Sequence, residues 1–300
     1  MKSEFPFTKL FKSGDFKTLS RAISFVENEL PGYENLLMQI PPASSKIIGI
    51  TGPPGAGKSS MTDALIGEMV ADNKKVGVLC IDPSSPFNKG ALLGDRIRMS
   101  EWYTHPNVFI RSLASRGALG GLHPKIIEIA DLMKAAGFDY VIIETVGVGQ
   151  SEVDIAGLAD ITVVMLVPEA GDIIQTMKAG LMEVADIFVV NKSDRPGADI
   201  FYNHLKKMLS PAFNNKMGRT PVLKTIASKR EGVSELYTII KNWKFDSLSR
   251  NHVELITQRV WSVIQNKKME EIDLEKMKIE IEELLKIGEF NLYQFVKKYA

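Results

Sequence analysis

Gly52 to Ser60 read GPPGAGKSS and match the spacing G-x-x-x-x-G-K-[ST] through Gly52, Gly57, Lys58 and Ser59. A glycine-rich turn of this kind lets successive backbone N–H groups point at phosphate oxygens. A helix opening directly after it adds a favourable dipole. Pro54, Gly55, Ala56 and Ser60 complete the loop around the anion. Lys58 can then reach the β- and γ-phosphates, and the Ser59 hydroxyl can ligate Mg²⁺. A glycine-rich turn that binds nothing is the bland reading. The flanks argue against it: Lys46–Thr51 (KIIGIT) is an apolar run suited to a buried strand, and Ser60 to Ala71 can continue as a helix.

A second string addresses the base. Asn191-Lys192-Ser193-Asp194 (NKSD) follows the apolar run Ile187–Val190, which places it at the C-terminal end of a strand, where open α/β sheets bind ligands. An aspartate there can accept hydrogen bonds from guanine N1–H and the exocyclic amine. Adenine has an acceptor at N1 and no 2-amino donor, and an unsatisfied buried group costs about 1–3 kcal/mol. Asp194 therefore predicts GTP and GDP rather than adenine nucleotides. Asn191 and Lys192 belong to the same pocket, and Ser228, after the run Val222–Ile226, is assigned to it. Behind a strand and downstream of a phosphate loop, NKSD reads as more than an ordinary turn.

Hydrolysis needs further groups. Asp82 ends the run Val76–Ile81 and is expected near Mg²⁺, directly or through water; Asp95, in LLGDRIRM, is a second carboxylate. Mg²⁺ keeps several waters and takes one or two protein carboxylates, so both need not ligate. Glu144 closes the run YVIIE opposite the phosphate loop, where it can bind the metal or hold a metal-bound water. Gly147 can offer its backbone N–H to the γ-phosphate, making Gly147 to Glu152 a nucleotide sensor. Gln150 is expected to orient the attacking water, with a plain surface-loop role as its alternative. An arginine finger could come from Arg96, Arg98, Arg111 or Arg116, among which the sequence does not choose. The histidines show no ligand spacing.

The positioning elements follow from the pattern of the chain. At 300 residues, 45% hydrophobic, there is material for a substantial core, and a net charge of +1 gives no case for nucleic acid or an anionic membrane as main partner. No apolar stretch approaches a membrane span, and Cys80, the one cysteine, reads as a core residue in a reducing, cytoplasmic setting. Continuous apolar runs alternate with helical stretches, which implies an α/β fold: a P-loop NTPase with a mainly parallel β-sheet flanked by helices. Residues 1–45 read as an N-terminal helical extension, broken at Pro31-Gly32, 46–245 as the nucleotide domain and 246–300 as a C-terminal helical arm. In the arm, Leu274, Met277, Ile281 and Leu284 form an apolar stripe that must bury against something. The runs Val108–Arg111 and Ile161–Val167 complete the expected strands.

The strings GITGPPGAGKSS, DPSSPFNKGALLGDRIRM, FIRSLASRGALGGL, ETVGVGQSEVD and VPEAGDIIQTMKAGLMEVADIFVVNKSD together resemble the methylmalonyl-CoA mutase-associated GTPases, the MeaB or ArgK group. The likeness spans about residues 14 to 195. It implies a GTP-hydrolysing chaperone that gates cofactor loading of an adenosylcobalamin-dependent acyl-CoA mutase and protects it, with a cobalamin adenosyltransferase as a further partner. It also implies a homodimer through the C-terminal arm, and a third nucleotide-responsive loop at Glu169 to Lys178. Asn88-Lys89-Gly90 departs from the group's more glycine-rich loop. Two alternatives stand beside this reading: a kinase of an amino-acid transport system, and a metallochaperone GTPase of the kind that serves nickel enzymes.

Overall fold

The computed structural model describes residues 15–82, 99–115, 122–146, 151–168, 180–209, 220–244, 250–269 and 272–299. Seven strands, β1 (Lys46–Thr51), β2 (Val76–Asp82), β3 (Val108–Ala114), β4 (Tyr140–Glu144), β5 (Ile161–Leu166), β6 (Ile187–Val190) and β7 (Val222–Lys224), form one parallel sheet. Their order is β3-β2-β4-β1-β5-β6-β7. The helices before, between and directly after them are α1 (Phe16–Glu27), α2 (Tyr33–Leu37), α3 (Lys58–Ala71), α4 (Ile126–Ala135), α5 (Ser151–Leu158), α6 (Leu181–Val184), α7 (Ala198–Met208) and α8 (Val233–Asn242). The chain divides into two compact units, Met1–His252 and Val253–Ala300.

The inner strands are uninterrupted apolar runs because both faces are covered. On one face Ile48, Ile50, Val163, Met165 and Val189 pack with Met61, Leu65 and Met69 of α3 and Leu236 and Ile240 of α8. On the other, Val164, Leu166, Phe188 and Val190 pack with Leu181 of α6, Leu205 of α7 and Leu209. Cys80 is buried in the first cluster, as a small apolar residue would be. Helix α5 lies so close to β1 that a Cβ on Gly49 would stand 2.6 Å from Ile155 Cγ1.

Boundaries differ from the sequence reading by a few residues. Helix α3 begins at Lys58, two positions early, because the phosphate loop runs straight into its first turn. β3 continues to Ala114 in register with β2. β7 stops at Lys224, since Thr225 and Ile226 turn away into the site described below.

Three aspartates clasp the sheet at its N-terminal edge. Each directly precedes a strand and makes a reciprocal pair with one residue of a neighbouring strand or its lead-in. Asp139 donates its N–H to Lys75 O (2.9 Å) and accepts Lys75 N–H on its carboxylate (2.8 Å). Asp160 does the same with Ile47 (2.9 and 2.6 Å), and Asp186 with Thr162 (3.0 and 2.7 Å). Each clasp occupies an N–H at the start of a strand that the parallel ladder leaves over, an obligatory partner for a buried backbone donor.

The second unit consists of helices: α9 (Arg250–Met269) from Val253 onward, α10 (Leu274–Ile287) and α11 (Leu292–Val296). Asp273 caps α10 by accepting from the N–H groups of Glu275 and Lys276. No residue of α10 is buried; Leu274 is 72% exposed.

Candidate active site

β1 delivers the chain into the phosphate loop at a crowded point. A Cβ on Gly52, whose φ is 136°, would collide with the Met165 carbonyl oxygen, and a Cβ on Gly57, at φ 88°, with the Asn191 side-chain amide. Both glycines are therefore demanded by close approach as well as by backbone conformation. Lys58, 7% exposed, folds its ammonium back onto its own loop, donating to Gly52 O (2.9 Å) and Pro53 O (3.2 Å). The ammonium is thus held at the mouth of the anion cradle by carbonyls that compete weakly with a phosphate.

Glu144, the last residue of β4 and 4% exposed, receives two hydroxyls from α3. Ser59 Oγ donates to Oε1 at 2.6 Å and Thr62 Oγ1 to Oε2 at 2.9 Å. Asp82, buried at the end of β2, lines the same cavity. That cavity, about 510 Å³, is bounded by the loop residues Pro54, Gly55, Gly57, Lys58, Ser59 and Ser60, by Ile81 and Asp82, by Glu144, Thr145 and Val146, and by Lys192. Cavities of 520 and 630 Å³ at the opposite edge of the sheet are as large, but neither is lined by the glycine loop, so size alone does not locate the chemistry.

The donor set fits Mg²⁺. The Ser59 hydroxyl donates its hydrogen bond to Glu144, which leaves its oxygen lone pairs for a cation, and hard carboxylate oxygens stand beside it, as Mg²⁺ prefers. Among the described residues no cluster of three His, Cys, Asp or Glu side chains is arranged for metal binding, so the cation would depend on the nucleotide phosphates for the rest of its shell.

Asn191 joins three segments. It is 2% exposed; its Nδ2 donates to Ala56 O (2.8 Å), while its Oδ1 accepts from Thr225 Oγ1 (3.1 Å) and from Ala227 N–H (3.0 Å). Ser193 N–H donates to Thr225 O. Lys192 adopts a left-handed backbone, φ 56°, and lines the phosphate cavity. Asp194 stays half-exposed, its carboxylate 3.4 Å from Lys229 Nζ. Ser228 lies in the short 3₁₀ turn Ala227–Lys229, next to the Ala227 N–H. Thr225 and Ala227 were missed in the sequence; the signal was the polar turn TIASKREG directly after β7.

The structure therefore brings Gly52, Pro54, Gly55, Ala56, Gly57, Lys58, Ser59, Ser60, Asp82, Glu144, Asn191 and Lys192 to one sheet edge. Asp194 and Ser228 sit on the loops tied to Asn191. Asp95, Gly147, Gln150, Arg96, Arg98, Arg116, Asn88-Lys89-Gly90 and Glu169 to Lys178 lie outside the described residues. Arg111 is a correction. It lies within β3 rather than at the strand's end, and its guanidinium donates to Glu27 (2.9 Å) and Ser24 (3.0 Å) of α1. Bound this way it clamps the N-terminal helix to an edge strand and is no candidate for an arginine finger.

The fold and these loops define the class: a P-loop nucleotide-binding protein. The profile of the family described as methylmalonyl-CoA mutase-associated GTPase MeaB matches residues 19–278, and the chain belongs to that family. A relative from Pyrococcus abyssi named as a GTPase is 48% identical over 235 residues, 77% of this chain and 72% of the relative. The GTPase ArgK of Escherichia coli K12 is 34% identical over 83% of this chain and 78% of its own length. The mitochondrial methylmalonic aciduria type A homolog of Mus musculus is 32% identical over 74% of this chain and 56% of its length. A crystal structure titled LAO/AO transport system kinase shares the fold, with a TM-score of 0.69 at 24% identity over 99% of this chain and 97% of that one. The protein is thus a P-loop GTPase that binds guanine nucleotide. No helix among the described residues is long and apolar enough to cross a membrane.

Proposed function

We propose that this GTPase is a cytoplasmic chaperone of an adenosylcobalamin-dependent acyl-CoA mutase, methylmalonyl-CoA mutase being the foremost member of that class. GTP binding and hydrolysis would gate cofactor loading and protect the mutase from inactivation, with a cobalamin adenosyltransferase as a second partner. The observation that carries this reading is the family match over residues 19–278, which runs through every loop of the site. The mouse relative, whose name refers to methylmalonic aciduria, supports it.

The geometry supplies the chemistry of the switch. The glycine loop binds phosphate oxygens through its N–H groups. Lys58 exchanges Gly52 O and Pro53 O for the β- and γ-phosphates, which accept its protons more strongly because the hydrogen bonds become charge-assisted. Mg²⁺, when bound, neutralises charge on the transferring phosphoryl group, and Ser59 with Asp82 or Glu144 would hold it. Glu144 orients the Ser59 hydroxyl, and Asn191 keeps the base loop against the phosphate loop. Gln150 and Gly147 complete the proposal as water-orienting and γ-phosphate-sensing residues, and Asp95 as an alternative metal partner. The described cations lining the cavity are Lys58 and Lys192. Where the charge of the transition state is incompletely neutralised, intrinsic turnover is slow and a partner accelerates it.

The test is GTP hydrolysis by the pure protein with and without a cobalamin-dependent methylmalonyl-CoA mutase, with ATP as control. Acceleration by the mutase supports the reading. GTP turnover of tens per second without any mutase, or a mutase with no effect on the rate or on its own inactivation, overturns it.

A further inference from the structure

We infer that the hydrogen-bonded pair Thr51–Thr145 is a positioning contact, which sets the distance between the phosphate loop and Glu144 and through it the aim of the Ser59 hydroxyl. Thr145 Oγ1 donates to Thr51 Oγ1 at 3.0 Å, and the two residues are 2% and 0% exposed. The last Cα pair of the β1–β4 ladder is Ile50 with Glu144, and the last backbone bond runs from Thr145 N–H to Ile50 O at 3.0 Å. The hydroxyl pair thus carries the pairing of the two strands one residue past the end of the ladder.

The residues on either side of this contact make it more than packing. Thr51 directly precedes Gly52, whose carbonyl holds the Lys58 ammonium. Thr145 directly follows Glu144, whose carboxylate accepts a hydrogen bond from Ser59 Oγ at 2.6 Å. Lys58 and Ser59 are adjacent at the start of α3. The four groups form a closed circuit: β1 end, phosphate loop, start of α3, β4 end. The Thr51–Thr145 bond is the side-chain link that, beyond the last backbone bond, crosses between the strand ends without passing through a group that must rearrange when phosphate and metal arrive. A hydroxyl pair is directional, with a single proton on the line between the oxygens, so it fixes spacing in a way that two apolar side chains of the same shape would not.

This inference rests on the reading of Ser59 and Glu144 as the metal-facing pair. It concerns neither a ligand nor a step of hydrolysis but the preorganisation of that pair, where errors of a few tenths of an ångström matter.

Substitutions at the two positions test it, read by the rate of release of a fluorescent GDP analogue from the purified full chain, with saturating Mg²⁺ and with EDTA, beside thermal stability. In the wild type, Mg²⁺ is expected to slow release. Thr145→Val, which removes the donor, is expected to lower the melting temperature and to cut the Mg²⁺-dependent slowing by about five-fold, as for the loss of one net hydrogen bond, with release in EDTA unchanged. Thr145→Ser keeps the hydroxyl and retains the wild-type values. The double variant Thr51→Val with Thr145→Val replaces both polar groups by apolar ones, which restores stability. If the pair positions Glu144, the double variant stays deficient in the Mg²⁺ effect; if the effect returns together with stability, the pair is packing only and the inference is overturned. Thr145→Val with an undiminished Mg²⁺ effect overturns it as well. A wild-type protein whose GDP release ignores Mg²⁺ would instead sink the metal reading of Ser59 and Glu144, on which the inference stands.

Discussion

The side-chain amide of Asn191 lies against Gly57 and donates to the carbonyl of Ala56, so the base-recognition loop and the phosphate loop are held together before any nucleotide bridges them. The other end of the amide collects Thr225 and Ala227. Asn191→Ala leaves the Ala56 carbonyl, the Thr225 hydroxyl and the Ala227 N–H without this partner. Each buried group so exposed costs about 1–3 kcal/mol. We expect GDP and GTP affinity to fall by about 10–100-fold together, with their ratio preserved, because the loss is in loop alignment rather than in the γ-phosphate. Titration calorimetry with both nucleotides measures this; a change confined to GTP would contradict the structural role.

Asp194 is proposed to read the base, and its contact with Lys229 is a weak surface pair at 3.4 Å with both partners half-exposed. Losing that pair alone changes little. Asp194→Asn instead changes what the site can recognise: the amide accepts from a purine N1–H but must donate at the next position, where guanine also donates and xanthine has a carbonyl. We expect GTP affinity to drop by about 10–100-fold and xanthosine triphosphate to gain by a comparable factor. Competition binding between the two nucleotides decides it, and equal loss of both would mean that Asp194 does not face the base.

Arg111 separates stability from catalysis. Its guanidinium pairs with Glu27 at 2.9 Å, with side chains only 23% and 12% exposed, and reaches Ser24 on the same helix. Arg111→Met keeps the aliphatic stem and removes the clamp, which lowers stability by about 1–3 kcal/mol. The GTPase rate of the folded variant should match wild type. A large fall in kcat at unchanged stability would restore Arg111 to the catalytic set.

The parallel sheet could be read from the sequence because burial on both faces turns each inner strand into an unbroken apolar run, and Ile187–Val190 or Tyr140–Glu144 cannot then be mistaken for an amphipathic helix. The phosphate loop was legible for a similar reason: its constraints are local. The partners of Asn191 were not, since Ala56 lies 135 residues away and Ala227 36 residues away. Only the strand order places them side by side. Arg111 was misjudged because nothing in FIRSLAS says that α1 will lie across that strand. The clasping aspartates were visible as a residue before each of three runs, yet Asp160 finds Ile47, 113 residues earlier, only once β5 is known to neighbour β1.

The second unit carries an exposed apolar line. Val253, Val260 and Ile264 of α9 recur at helical spacing and are 52%, 50% and 44% exposed, with Trp261 beside them at 62%. We propose a second copy of this chain as the occupant, in keeping with the homodimer that the family resemblance implies. Ile264→Glu places a charge on the line without touching a buried core. Light scattering on the eluting peak should then show wild-type dimer and variant monomer. A monomeric wild type at micromolar concentration would remove the dimer from the proposal.

Asp186 gives the sheet a pH dependence of known sign. Burial pushes its carboxyl above the ordinary aspartate value, and the hydrogen bond from Thr162 N–H offsets that only in part. A raised folded-state pKa means that the native state holds a proton which the unfolded chain gives up. Its stabilising contribution is therefore complete below the unfolded value of about 3.9 and is lost as pH rises through the folded value. Once ionised, the clasp works with a partly buried anion. Asp186→Asn keeps an acceptor for Thr162 N–H and has no charge to bury. The variant should therefore melt higher than wild type where the carboxyl is ionised, and the gap should narrow as the pH is lowered towards the unfolded value. Asp63, Asp131 and Asp154, also raised by burial, titrate in both proteins and cancel from the difference. Calorimetric melting of the pair across that range measures the gap, and a gap that widened on acidification would show that the Asp186 carboxylate is favoured, not penalised, in its clasp.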